Sequence, residues 1–216
     1  PASERSDYER AGVANVVPVP VAIRGITRTR NWILDWAQQA GERWVVFVDD
    51  DLASAGYVEL MSDCVRNRKI SAEEWHGEFL RLFEVMQGCG YRIWGVATQA
   101  ATRSIYPYRP FLFRSYVTAS CMGMVSSLRF DESFPVKEDY ELCLRCIRED
   151  GGILAARYLF WQNSHWGDKG GCATYRTRDM ELAAIHRLMR MYPGMISRVK
   201  RGGSEFSIDL EFPGRG

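Results

Sequence analysis

The chain has 216 residues, 46% hydrophobic, 25% charged and 12% aromatic, and its 28 basic and 27 acidic side chains nearly cancel. That length suits one compact domain spanning 1–216, and the composition excludes intrinsic disorder and collagen-like structure. No apolar run approaches the ~20 residues of a membrane helix, and the near-zero net charge speaks against a non-specific polyanion binder while leaving room for a local basic patch.

Six cysteines are too sparse for a disulfide scaffold. Cys143 and Cys146 form a C-x-x-C inside a helical stretch, with no second Cys/His pair at zinc-site spacing, so buried thiols are expected. A reduced setting follows, cytoplasmic (host cytoplasm if the source is viral) or nuclear. The N-terminus has no signal-peptide core, so secretion is not expected. It also lacks an initiating Met, which leaves room for a preceding segment.

Residues 1–15 read as a polar N-terminal segment, irregular or helical. Val16–Val21 carries two prolines and reads as an edge strand or extended piece. Gly25–Arg30 is expected as a loop, followed by a helix from Asn31 to about Ala40. Trp44–Val48 is five apolar residues bounded by charge, the pattern of a fully buried central strand. Asp49, Asp50 and Asp51 follow at its C-terminal end, where open α/β sheets bind ligands.

Ser54–Arg66 is expected to be helical. Ser71 and Glu74 form a capping box that opens a helix burying Trp75, Phe79, Leu82, Phe83 and Met86, with Gly88 and Gly90 at its end. Tyr91–Ala97 reads as a strand, 105–113 as an aromatic loop or edge strand, and Tyr116–Val125 as a strand of small residues. A loop from Phe130 leads to Glu138-Asp139 and a helix that stops near Gly151-Gly152. Ile153–Trp161 is a strand, Asn163–Gly171 a glycine-rich loop, and Arg178–Met191 an amphipathic helix broken by Pro193-Gly194. The tail, 200–216, holds a short strand at Phe206–Phe212. Residues 176–201 carry seven basic and two acidic groups, which predicts a basic face late in the chain.

Three adjacent carboxylates repel one another and call for a positive partner. On a strand, Asp49 and Asp51 share a face. Two such carboxylates suit Mg²⁺ or Mn²⁺, which keeps positions open for phosphate oxygens; a solvated acidic turn is the plainer alternative.

A strand ending Val48-Asp49-Asp50-Asp51, a later Glu138-Asp139 opening a helix and a late His165 together resemble a GT-A glycosyltransferase. More narrowly they are similar to the TET/JBP-associated glycosyltransferases, found with dioxygenases that oxidise 5-methylpyrimidines. The matching stretches are Gly25-Ile26 through Arg30-Asn31-Trp32, Phe47–Asp51, Phe130-Asp131-Glu132 through Glu138-Asp139-Tyr140, and Lys169-Gly170-Gly171-Cys172, within about residues 16–200.

The resemblance implies an α/β fold with a mostly parallel, Rossmann-like central sheet flanked by helices. It also implies a D-x-D motif that holds the metal bridging a sugar nucleotide's diphosphate. The expected reaction is transfer from a nucleotide sugar, such as a UDP-sugar, to the hydroxyl of a 5-hydroxymethylpyrimidine in DNA. The alternatives are a polysaccharide, lipid or protein acceptor, a non-catalytic binding module of the same fold, and a nucleotidyltransferase. One departure stands out. GT-A domains begin with a strand and loop that grip the nucleotide base, and none precedes residue 16. Either a segment lies before this chain or the strand at 206–212 takes the role by permutation.

Roles follow residue by residue. Asp49 and Asp51 are expected to hold metal, with Asp49 alternatively on ribose and His165 as a further ligand. Asp50 is expected to orient the sugar or the loop. Asp139, with Glu138 beside it, is the expected general base of an inverting transfer, although acidic residues at a helix start also answer the helix dipole. Arg28, Arg30 and Asn31 before a helix, and Lys169-Gly170-Gly171, are expected around the donor diphosphate. Tyr106, Tyr108, Arg109 and Arg114 are expected to meet the acceptor DNA.

Overall fold

The computed structural model describes residues 4–61, 64–97, 109–163, 176–198 and 208–210. The first element is α1 (Arg5–Arg10), an exposed helix of 6 residues. Next comes α2 (Ile26–Gln39), which starts five residues earlier than the sequence pattern predicts. Gly25, with φ of 86°, makes the turn into it. Tertiary bonds then fix its polar first turns: Thr27 Oγ1 donates to the Phe134 carbonyl at 2.8 Å, and Arg30 is buried in an ion pair. Arg28, Arg30 and Asn31 therefore lie on the helix and not in a loop before it.

Strand β1 (Trp44–Val48) leads through the three aspartates to β2 (Leu52–Leu60) and β3 (Val65–Lys69). The helix expected at 54–66 is thus a hairpin. Gly56 explains part of this: it weakens a helix, and a Cβ there would come 1.9 Å from the Arg68 carbonyl oxygen across the ladder. The capping box at Ser71 is present in full, and α3 (Ala72–Gly88) follows it. The remaining strands are β4 (Ile93–Ala97), β5 (Phe111–Leu112), β6 (Cys121–Val125), β7 (Leu154–Asn163), β8 (Ile196–Arg198) and β9 (Ile208–Leu210). The remaining helices are α4 (Glu138–Asp150), closed by a left-handed Gly151, and α5 (Arg178–Met191).

Among the described residues the main sheet has seven strands, in the order β1-β6-β4-β7-β2-β3 with β5 also on β7. It is mixed α/β architecture, and the expected mostly parallel sheet is corrected here: β4·β7 is the one parallel ladder among the described strands. β6 runs opposite to both strands it separates, and a short connection joins β2 to β3, which only antiparallel neighbours accept.

β1 is a second correction, since among the described strands it lies at the sheet's margin, not in the centre, and it ends in a half-exposed Val48. A run of apolar residues does not distinguish a central strand from an edge strand packed by helices on its faces. The described part of the expected C-terminal strand, β9, pairs with β8 in a separate two-stranded ribbon and not with the main sheet, against the permutation reading.

Helices cover both faces. Leu34 of α2 and Leu142, Cys143, Cys146 and Ile147 of α4 pack on Phe47, Ile93, Met122 and Met124. Leu82, Phe83 and Met86 of α3 pack on Trp94, Leu154, Leu159 and Trp161 across the other face. α5 lies outside α4, and Leu144, Ile185, Leu188 and Tyr192 join it to the β8–β9 ribbon. Because β1, β4 and β7 run in the same direction, their C-terminal ends share one edge of the sheet. Among the described residues no helix is long and apolar enough to cross a membrane.

Candidate functional site

The two acidic runs meet at that edge, and Arg30 joins them. Its Nη1 donates to Glu138 Oε1 at 2.6 Å, and its Nη2 stands 3.9 Å from Asp49 Oδ1. The guanidinium lies near the rings of Phe47 and Phe130, 5.9 and 5.5 Å from their centroids. A buried arginine needs a counter-charge, and here carboxylates from the end of β1 and the start of α4 provide it. Glu138 is buried as well. Desolvation and the neighbouring Asp139 push its carboxyl up to about 7, against the pull of Arg30.

Asp49 extends the β1 ladder by one rung, its N–H donating to the Ser120 carbonyl at 3.0 Å. Burial raises its pKa, Arg30 opposes that, and Asp51 and Asp50 raise it further. A hydrogen bond from the Asn163 side chain steadies the charged form. Asn163 ends β7 and pairs with Leu52, so the far end of β7 comes back against the aspartates. Its Oδ1 is buried and has no hydrogen-bond partner among the described residues. Asp50 points elsewhere and accepts from the Tyr8 hydroxyl at 2.7 Å, so α1 lies over this corner. Proximity to that carboxylate lifts the Tyr8 phenol to about 12. Asp51 is exposed.

Glu138 and Asp139 are adjacent yet differently used. Glu138 is buried and committed to Arg30. Asp139 is half-buried; one carboxylate oxygen accepts from the Tyr116 hydroxyl and the other from the Tyr140 N–H at 2.9 Å. The rings of Tyr116 and Tyr140 stack, 3.9 Å between centroids and 13° from parallel. Burial and Asp139 hold the Tyr116 phenol protonated, well above its ordinary range. Lys137, just before the pair, adopts a left-handed φ of 62°, an uncommon conformation for a residue with a side chain. It is held by Glu181 of α5 at 3.1 Å and by the face of Tyr140.

Other expected residues do different work. Asn31 is buried: its amide N–H₂ donates to the Phe130 carbonyl at 3.0 Å and to Glu132 at 3.2 Å, and its oxygen accepts from the Phe130 N–H at 2.8 Å. With both donors engaged, it ties α2 to the 130–132 loop. Arg28 is exposed and faces Glu132 at 3.3 Å. Arg109 and Arg114 are exposed. Arg114 donates to the Gly151 carbonyl at the C-terminal end of α4, the opposite end from Asp139, so Arg114 does not join this cluster. His165, Lys169, Gly170, Gly171, Tyr106 and Tyr108 lie outside the described residues. Tyr116, Asn163 and Tyr8 belong to the cluster without having been marked by any motif. Only Asn163 carried a hint, as the first residue of the glycine-rich loop.

Among the described residues, oxygens near Asp49 include the carboxylates of Asp51 and Asp50 and the orphaned amide oxygen of Asn163. That set matches the preference of Mg²⁺ or Mn²⁺ for hard ligands, with one or two carboxylates from the protein and the rest from water and phosphate. Among the described residues no three His, Cys, Asp or Glu side chains converge as a complete cage. The sequence matches no protein-family model and no curated protein.

Proposed function

We propose that this chain is a metal-dependent glycosyltransferase of GT-A type, transferring a sugar from a nucleotide sugar to the hydroxyl of a 5-hydroxymethylpyrimidine in DNA. The single observation that carries the reading is Arg30, which holds the aspartate end of β1 and the Glu138-Asp139 helix start in one cluster. An enzyme of this class needs its diphosphate-gripping carboxylates and its base on the same side. The order of the motifs along the chain supplies the rest of the argument, by resemblance.

In this reading Asp49 and Asp51 would hold Mn²⁺ or Mg²⁺, with the Asn163 amide oxygen beside them. A cation held by these residues would supply positive charge against the leaving diphosphate. Asp139 takes the proton from the attacking acceptor hydroxyl, and a single displacement inverts the anomeric centre. Tyr116 and the Tyr140 N–H orient that carboxylate, one on each oxygen. Glu138 stays on Arg30 and positions the helix start.

The test is calorimetric titration of the full chain with Mn²⁺ and UDP, alongside sugar transfer to an oligonucleotide containing 5-hydroxymethylcytosine. Asp51→Ala is expected to abolish metal-dependent UDP binding with an unchanged circular dichroism spectrum. Asp139→Asn is expected to keep that binding and to lose transfer by about 10²–10⁴-fold. A wild-type chain that binds no UDP in the presence of metal is a non-catalytic scaffold, and the proposal fails.

A further inference from the structure

The N-cap of α4 is Lys137, with φ of 62° and ψ of 22°, and its side chain makes no capping bond. Nothing local favours a lysine there. Ser, Thr, Asp or Asn would cap the helix. Gly would take the left-handed turn without a steric penalty. A basic residue at a helix start opposes the helix dipole. A side chain that persists in such a conformation is held by its surroundings.

Those surroundings are specific. Lys137 is largely buried, its Nζ 3.1 Å from Glu181 Oε2 on α5 and 5.2 Å from the centroid of the Tyr140 ring. Glu181 is buried too, and its Oε1 meets Arg176 Nε at 2.9 Å. Among the described residues Glu181 Oε2 has no aligned hydrogen bond, so the ammonium answers it by charge.

We propose that Lys137 is a positioning residue for the Asp139 carboxylate, through which α5 orients the first turn of α4. The inference rests on the glycosyltransferase reading for what Asp139 does, and on the contacts themselves for what Lys137 does. Two routes join the lysine to that carboxylate. Along the backbone, its left-handed turn sets the direction in which α4 starts, and Glu138 and Asp139 are the first two residues of that helix. The Lys137 carbonyl accepts from the Glu141 N–H at 3.1 Å, so turn and helix are continuous. Through the ring, Tyr140 meets the ammonium and stacks on Tyr116, which donates to one Asp139 oxygen; the Tyr140 N–H donates to the other. Both groups that orient the carboxylate are thus tied to Lys137. A base must lie within hydrogen-bond reach of the proton it takes, and small misplacements are costly in rate.

The test compares the full wild-type chain with Lys137→Gly and Lys137→Arg. Glycine keeps the left-handed turn and removes the side chain, while Glu181 retains Arg176, so the fold is expected to survive with an unchanged circular dichroism spectrum. Arginine restores a cation for both Glu181 and the Tyr140 ring. The first readout is the proton resonance of the Tyr116 hydroxyl bonded to Asp139, assigned by its loss in Tyr116→Phe. It is expected to move or broaden in Lys137→Gly and to return in Lys137→Arg. The second is sugar transfer. Lys137→Gly is expected to lower kcat by about 10–100-fold with KM for both substrates unchanged, and Lys137→Arg to recover most of that loss. A lysine that serves the fold alone predicts neither change. A Tyr116 resonance that stays in place in Lys137→Gly, unchanged kcat in an active chain, or an equal loss in Lys137→Arg overturns the assignment. A resonance that depends on Lys137 in a wild-type chain with no transferase activity upholds the positioning and removes the reaction instead, so the two readings fail separately.

Discussion

Arg30 is the residue on which the candidate site turns, and Glu138 is where its influence can be measured. A carboxyl raised from 4.5 to about 7 in the folded chain holds its proton more tightly there than in the unfolded chain. Its stabilising contribution is therefore fully present below pH 4.5 and lost as pH rises through about 7. The wild-type melting temperature is expected to fall between pH 5 and pH 8 by more than that of Glu138→Gln, the gap corresponding to at most about 3 kcal/mol. Parallel curves from thermal melts at several pH values would refute the assignment. The sequence displayed the acidic runs plainly, because consecutive carboxylates need no fold to be seen. It hid the partners. Arg30 and Glu138 are 108 positions apart and Tyr116 and Asp139 are 23 apart, and no spacing rule connects such pairs. The chemistry of Asn31 and Glu138 is visible in the sequence, whereas their burial against other protein groups is not.

At the level of elements, local signals that close on themselves were legible. The capping box of α3 and the apolar stripe of α5 involve neighbours three and four residues apart, and both helices form where those signals lie. The β2–β3 hairpin was not legible, because its ladder overrides a stretch whose Ala, Leu and Met content favours helix. Two glycines separate these cases. Gly56→Ala drives a Cβ into the Arg68 backbone and is expected to cost about 1–3 kcal/mol. Gly77 sits in α3 with open space around its Cβ direction, so Gly77→Ala is expected to gain up to about 1 kcal/mol. Thermal or urea unfolding of the two variants checks both signs, and a neutral Gly56→Ala would mean that the hairpin is loosely paired.

Across the whole molecule, three packed clusters hold the helices on the sheet, and the α/β class was readable from the alternation of strands and helices. Strand direction was not, since one apolar run fits either orientation. The basic balance of 176–201 is also less open than its net charge implies: Arg176 pairs with Glu181 at 2.9 Å, and Arg187 donates to the Ser133 carbonyl at 3.2 Å. The position of β1 has a practical consequence for anyone handling this chain. Its five residues, Trp-Val-Val-Phe-Val, include no lysine or proline of the kind that usually blunts a sheet margin. Two molecules meeting rim to rim would extend each other's hydrogen-bonded ladder, so self-association growing with concentration is expected in light scattering. Val48→Lys should suppress it, and an unchanged scattering profile would show that the rim is already shielded. Stock solutions of the purified chain are best kept dilute until that comparison has been made.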